Sequence, residues 1–293
     1  MAIFVTGDTH GSEQHGFWSV DGFMHRLNTK NFLEQKQLTK DDYVVILGDF
    51  GGIWDTSYTK FCESAQEKAA LDWLEDKPFT TLFVPGNHEN YDRLTGCHDE
   101  KLINSWVYRN MPQEEIDKLK NGYLQKQWHG GTVRVIRPSV LMLERGDVFD
   151  LNGYACFAFG GAASHDISDG IIYPYNYESH QEMKKDITKN WANKMFRVSG
   201  LSWWVQEIPS QNEFEHAKEA IAKYKSVDFV FTHDGPISDK ILLGYPDKDI
   251  LSMFLEEVKH TLHYKKWYFG HLHDNKHIIN GDYLLYEQII QIA

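Results

Sequence analysis

The chain has 293 residues, 42% hydrophobic and 25% charged, a globular balance that excludes disorder, collagen and coiled coil. At this length folding buries about three quarters of the surface an unfolded chain exposes, so a core of ordinary size suffices without covalent staples. Lys plus Arg number 30 against 42 for Asp plus Glu, and the net charge of −12 argues against a general binder of nucleic acid or membrane surfaces.

The N-terminal residues 1–8 have no basic start, and their apolar run is far too short for a secretory signal. No later stretch approaches 18 apolar residues. Cys62, Cys97 and Cys156 are odd in number and form no CxxC pair, as expected of ordinary thiols in a reducing compartment. These features predict a soluble, cytoplasmic protein.

The first apolar, β-branched run is residues 3–7, which ends at Asp8. Residues 43–48 end at Asp49, and residues 81–86 end at Asn87, with a helical stretch predicted over 58–75 between them. Residues 96–127 read as an insertion. It carries a short helix that starts at Pro112, pairs Glu114 with Lys118 and stops at Asn121-Gly122. Over 133–160 the pattern changes to four short strands, 133–136, 140–143, 148–151 and 154–159, expected as a meander or second sheet. A second insertion, 164–210, interleaves Tyr173, Tyr175, Tyr177, Trp191, Phe196, Trp203 and Trp204 with Lys184, Lys185, Lys189, Lys194 and Arg197. A helix over 212–224 leads to a strand at 228–232 that ends at His233, and a helix opening at Asp247 leads to a strand at 266–270 that ends at His271. Residues 277–280 and 283–289 read as a closing hairpin.

Runs of four to six apolar residues without alternation are strands buried on both faces, and their alternation with helices predicts an α/β fold. In such sheets ligands gather at the carboxyl ends of the strands. Five strands here deliver Asp, Asn or His at that end. With their neighbours these residues are Asp8, His10, Asp49, Asn87, His88, His233, His271 and His273. Oxygen and imidazole donors without thiolate suit Mn, Fe, Zn or Ni, and they are too many for one ion. They suit two cations about 3.5–4 Å apart, with the lone carboxylate Asp49 as the natural bridge.

Gly7-Asp8-Thr9-His10-Gly11, Gly48-Asp49, Gly86-Asn87-His88-Glu89, Thr232-His233 and Gly270-His271-Leu272-His273 resemble the five ordered motifs of the calcineurin-like metallophosphoesterases. The chain has no repeat, low-complexity run or Pro/Ser linker, so a single domain over 1–293 is expected, and the resemblance implies its architecture. Its fold would be an αββα sandwich of two mixed sheets flanked by helices, with the insertions near the active-site face. It further implies two divalent cations, Mn before Fe, Zn or Ni. Asp8, His10, Asp49 and His273 would hold one, and Asp49, Asn87, His233 and His271 the other. A bridging water or hydroxide would attack phosphorus in line, His88 would protonate the leaving group, and Glu89 would orient His88. In the protein Ser/Thr phosphatases of the family the second motif continues Val-Asp-Arg-Gly. Here Phe50-Gly51-Gly52-Ile53-Trp54-Asp55 follows, which argues against a typical protein Ser/Thr phosphatase, and the resemblance is to a prokaryotic or phage-type member.

Arg93 and Arg197 are candidate phosphate clamps, because guanidinium forks suit phosphate. His15 and His25, which follow the first motif closely, are candidates for a substrate contact. The aromatic and basic residues of 164–210 make that stretch a candidate cap over the metals, favouring a nucleotide or nucleic-acid end, and the expected substrate is a phosphorylated small molecule or nucleotide. A nuclease or nucleic-acid-end phosphatase is the alternative activity, against which the negative charge counts. A catalytically silent metal-binding scaffold is the second alternative.

Overall fold

The computed structural model describes residues 1–11, 22–56, 60–61, 63–246, 248–279 and 281–293. His15, Cys62, Asp247 and Asn280, used in the sequence reading, lie outside the described residues. In chain order the strands are β1 Ile3–Thr6, β2 Tyr43–Leu47, β3 Thr80–Val84, β4 Gln125–Trp128, β5 Gly131–Arg137, β6 Val140–Leu143, β7 Val148–Leu151 and β8 Tyr154–Phe159. They continue with β9 Gly170–Ile172, β10 Phe196–Val198, β11 Ser226–Thr232, β12 His263–Phe269, β13 Lys276–His277, β14 Asp282–Leu284 and β15 Ile290–Gln291.

Two mixed sheets result, one of seven strands in the order β15-β1-β2-β3-β6-β5-β4 and one of six in the order β13-β14-β12-β11-β8-β7. Each has a parallel centre, β1-β2-β3-β6 in the first and β14-β12-β11-β8 in the second, edged by antiparallel strands.

The uninterrupted apolar runs are explained by cover on both sides. Ile3, Val5, Val45, Leu47, Leu82 and Val84 face Phe149, Ala158, Phe229, Phe231 and Tyr268 across the space between the sheets. The alternate residues Phe4, Val44, Ile46 and Phe83 pack outward on Phe23, Ala70, Leu71 and Leu74 of the helices Phe23–Arg26 and Ala65–Glu75. On the other sheet Phe157, Phe159, Val230 and Trp267 pack on Phe214, Ala217, Leu255 and Val258 of the helices Gln211–Tyr224 and Ile250–Thr261. Each fully buried Val, Leu, Ile or Phe contributes roughly 1.5–3 kcal/mol, so both faces of each sheet stabilise the strand ends. The layers are helix, sheet, sheet, helix, the αββα sandwich expected. Among the described residues no helix is long and apolar enough to cross a membrane.

Several boundaries differ from the sequence reading. The helix predicted over 58–75 starts at Ala65, because the Ser64 side chain accepts from Glu67 N–H and caps it there. The helix predicted to open at Asp247 has Asp249 as its cap, accepting from Leu251 and Ser252 N–H. The four strands of 133–160 are not one meander. β5 and β6 close the first sheet, and the turn Glu144–Asp147 carries the chain across so that β7 and β8 open the second. The closing hairpin is short, pairing β13 with β14, after which the chain returns to the first sheet as β15 beside β1.

The helix Gln113–Asn121 has the expected ends, with Pro112 at its N-cap, Gly122 at φ 66 after it, and Lys118 3.0 Å from Glu114. In 164–210 several aromatic side chains pack on one another and on the first insertion. Tyr173 and Tyr175 stack at 5.3 Å, and Trp106 Nε1–H donates to Pro174 O at 2.9 Å.

Candidate metal centre

The carboxyl ends of β1, β2 and β3 from one sheet and of β11 and β12 from the other meet at one rim of the sandwich. There the backbone turns sharply. His10, Asp49, His271 and His273 all take left-handed conformations, with φ of 34°, 42°, 68° and 50°. Strained non-glycine backbone of this kind persists where the surroundings over-determine it, commonly at functional sites. Cross-links hold the turns: Thr9 and His10 N–H both donate to Asp49 O, at 3.0 and 2.8 Å, and Gly270 N–H donates to His233 O at 2.9 Å. Glycine precedes the turns because there is no room for more. A Cβ on Gly86 would stand 2.0 Å from Asp49 Oδ1, and one on Gly48 2.2 Å from the His233 ring. Arg26, which the sequence did not single out, is buried behind β1. It donates to Asp8 O at 2.7 Å and to Gly7 O and Tyr286 O at 2.8 Å.

The side chains form two clusters that share one carboxylate. Asp8, His10, Asp49 and His273 present ligand atoms all within 4.8 Å of one another, and Asp49, His233 and His271 do the same. Asp49 Oδ2 faces His10 Nε2 at 3.8 Å, and Asp49 Oδ1 faces His233 Nε2 at 3.2 Å. Asn87 joins the second cluster, its Oδ1 3.3 Å from His233 Nε2. Asp8 accepts His271 N–H on both oxygens at 3.0 Å, tying β1 to the end of β12.

The donor set fits divalent cations. His233 Nδ1–H donates to Leu47 O at 2.7 Å, which leaves Nε2 as the atom turned to the cluster. Asp49 Oδ1 and Asn87 Oδ1 converge on that nitrogen, so three lone-pair donors share one small space. His10 Nε2 and His273 Nε2 are 2.9 Å apart, close enough to need a proton or cation between them.

The electrostatics agree. Burial would raise the Asp49 carboxyl, but the charges of His233 and His88 outweigh it and hold the group well below the usual range. Burial would lower His233, but Asp49 and then Asp8 overcome it and raise it to about 10. Burial pushes His271 well below 6.5 and lowers His10, keeping both neutral at pH 7, the form that ligates.

His88 donates its backbone N–H to Asp49 Oδ1 at 2.9 Å. Its ring stands 5.2 Å from that of His10 and stacks with Trp54 at 6.1 Å. It borders a cavity of about 560 Å³ over the clusters, together with Asp49, Asn87, His271 and His273. Ser164, His165, Lys240, Tyr245 and Lys248 also line it. None of these five carried a spacing signal, yet one clue was present. β8 is a sixth buried strand, parallel to β11 with Phe159 beside Thr232, so Ser164 and His165 follow a strand that ends at the same rim.

Four sequence assignments meet different surroundings. Neither oxygen of Glu89 hydrogen-bonds the His88 ring. Oε1 accepts Phe50 N–H at 2.7 Å and Oε2 has no partner, while burial and the charge of Asp49 lift the carboxyl to about 8. Arg93 is buried away from the cavity, its Nη1 2.8 Å from both oxygens of Glu67. Arg197 pairs with Asp166 at 2.6 Å, also outside the cavity wall. His25 lies outside that wall too, its Nε2 3.3 Å from Asn31 Nδ2. From 164–210 only Ser164 and His165 reach the cavity, so the aromatic residues there form no lining over the clusters.

A family model for the calcineurin-like phosphoesterases matches residues 1–275. The chain belongs to this family. No curated protein matches it. The two Asp/His clusters suggest metal binding, as is typical of the family, and the family implies a phosphoester substrate.

Proposed function

We propose that the protein hydrolyses phosphoesters with two divalent cations. Asp8, His10, Asp49 and His273 would hold one, and Asp49, Asn87, His233 and His271 the other. The observation that carries this reading is Asp49, whose two oxygens face the two clusters separately. When bound, the cations lower the pKa of a coordinated water toward about 7 and offset charge on the phosphoryl oxygens. The remaining work falls to the chain. Asp49 keeps its negative charge down to low pH because His233 and His88 surround it. His88, half-buried at the cavity wall and held by its own N–H to Asp49, is placed to give a proton to the departing oxygen. Trp54 stacks on that ring and packs edge-on against the buried Trp204, which fixes the imidazole plane and shields one face from water. The cavity volume suits a phosphorylated small molecule or nucleotide.

Hydrolysis of p-nitrophenyl phosphate and bis(p-nitrophenyl) phosphate after loading with Mn2+ tests the reading and separates monoesterase from diesterase. Asp49→Asn is expected to lower kcat about 10³-fold, the scale of several kcal/mol of lost charge stabilisation. His88→Ala is expected to slow alkyl and phenyl esters about 10²-fold, and p-nitrophenyl esters far less, because p-nitrophenolate leaves without a proton. Two bound cations with no hydrolysis of any ester would remove the assignment.

A further inference from the structure

An asparagine amide has two ends of nearly equal shape, and only the oxygen end can hold a cation. Asn87 must therefore be turned the right way round. Its Oδ1 lies 3.3 Å from His233 Nε2, and its Nδ2 lies 3.4 Å from Ser164 Oγ. Ser164 alone does not decide the orientation, because a hydroxyl either donates or accepts. Glu207 decides it. This side chain is only 2% exposed, and it accepts Ser164 N–H on Oε1 at 2.9 Å and Ser164 Oγ–H on Oε2 at 2.7 Å. A carboxylate only accepts, so the one hydroxyl proton of Ser164 is committed to Glu207 and its lone pairs are left facing Asn87. Only the NH2 end of the amide satisfies them.

We propose that Glu207, acting through Ser164, fixes the polarity of the Asn87 amide and thereby sets the cation affinity of the cluster formed with His233 and His271. Glu207 is a positioning residue, and the inference rests on the reading of Asn87 as a ligand. It gives the second insertion a role at the centre: one carboxylate on the short turn Val205–Glu207 orients a side chain at the end of β3.

The test is calorimetric titration of Mn2+, without oxygen, into the metal-free full-length protein. At pH 8 Glu207, which burial raises to about 7, is mostly ionised. Ser164→Ala removes the bias on Asn87 without reversing it. It is expected to weaken one of the two sites about 10-fold, the scale of outer-shell losses at metal sites. Glu207→Gln has the same shape but the opposite effect on the relay. Its oxygen still takes Ser164 N–H, its NH2 then faces Ser164 Oγ, and the hydroxyl proton swings toward Asn87 and inverts the amide. The expected loss is about 100-fold at the same site. In an Asn87→Asp background, where both ends are oxygen, Glu207→Gln should leave affinity unchanged or tighten it. A purely structural role for Glu207 would not change sign between the two backgrounds.

Wild-type protein that binds two Mn2+ while Glu207→Gln binds both as tightly would overturn the relay. So would equal weakening by Glu207→Gln in the wild-type and Asn87→Asp backgrounds. Wild-type protein that binds no Mn2+ would overturn the reading of the metal centre, and the relay with it.

Discussion

His233 sets the proton balance of the centre. Its folded pKa of about 10 stands above the 6.5 of an unfolded imidazole, because Asp49 and Asp8 outweigh the effect of burial. The sign follows. In metal-free protein this group contributes its full stabilisation below about pH 6.5, and the contribution is lost as pH rises through about 10. The Tm of metal-free protein is therefore expected to fall between pH 7 and pH 10, with a smaller fall in His233→Asn. A cation needs the same nitrogen without its proton, so loading at pH 7 is expected to expel about one proton, and affinity should rise with pH. Calorimetry in two buffers of different ionisation enthalpy reads that proton directly, and a value near zero would contradict the assignment of His233. The residues gathered here were legible in the sequence because each ends an apolar run abruptly. Ser164 and Glu207 were not, because they act through hydrogen-bond direction and no spacing pattern encodes that.

At the level of elements, Arg93 shows how the fold can carry a motif neighbour away from the site. It lies five residues after His88, which suggested a phosphate clamp, but the fold turns it under the chain toward Glu67 in the first turn of the helix Ala65–Glu75. Removing one partner of a buried pair leaves the other charge uncompensated, typically at a cost of about 3–5 kcal/mol. Arg93→Met is expected to lower stability by that order in denaturant unfolding while the KM of the folded enzyme stays within about twofold. A clamp would give the reverse, a raised KM at unchanged stability. The pairing was invisible in sequence because Glu67 lies on another element. Sheet membership was invisible for a similar reason. The strands of 133–160 have the turn chemistry of hairpins, and nothing local tells that the Glu144–Asp147 turn crosses between sheets. Arg145, in that turn, fastens the crossing. It donates to Tyr91 OH at 2.8 Å and to Gln206 O at 2.9 Å, and it pairs with Glu213 at 3.1 Å.

Across the whole molecule, the apolar runs made legible an α/β fold with both faces of the central strands covered, and the four layers came from the resemblance of the five motifs. The proposed centre draws Asp8, Asp49 and Asn87 from one sheet and His233 and His271 from the other, so bound cations would cross-link the two sheets. A ligand held at 1,000 times its Kd adds about 4 kcal/mol to the stability of the folded state. Chelation by EDTA is therefore expected to lower Tm by several °C or more, at about 2–4 °C per kcal/mol for chains approaching this size. Asp49→Asn should abolish most of that response. A Tm indifferent to both EDTA and added Mn2+ would contradict cations at the junction of the sheets.

The left-handed turns at His10, Asp49, His271 and His273 also bear on how such a protein changes over evolutionary time. Asp, Asn and His tolerate that backbone better than other side chains, and β-branched residues tolerate it least. The turn thus filters replacements independently of any selection for catalysis. A lineage that abandoned hydrolysis would meet the same filter, and its drift at these four positions is expected to run to asparagine or glycine before valine or isoleucine.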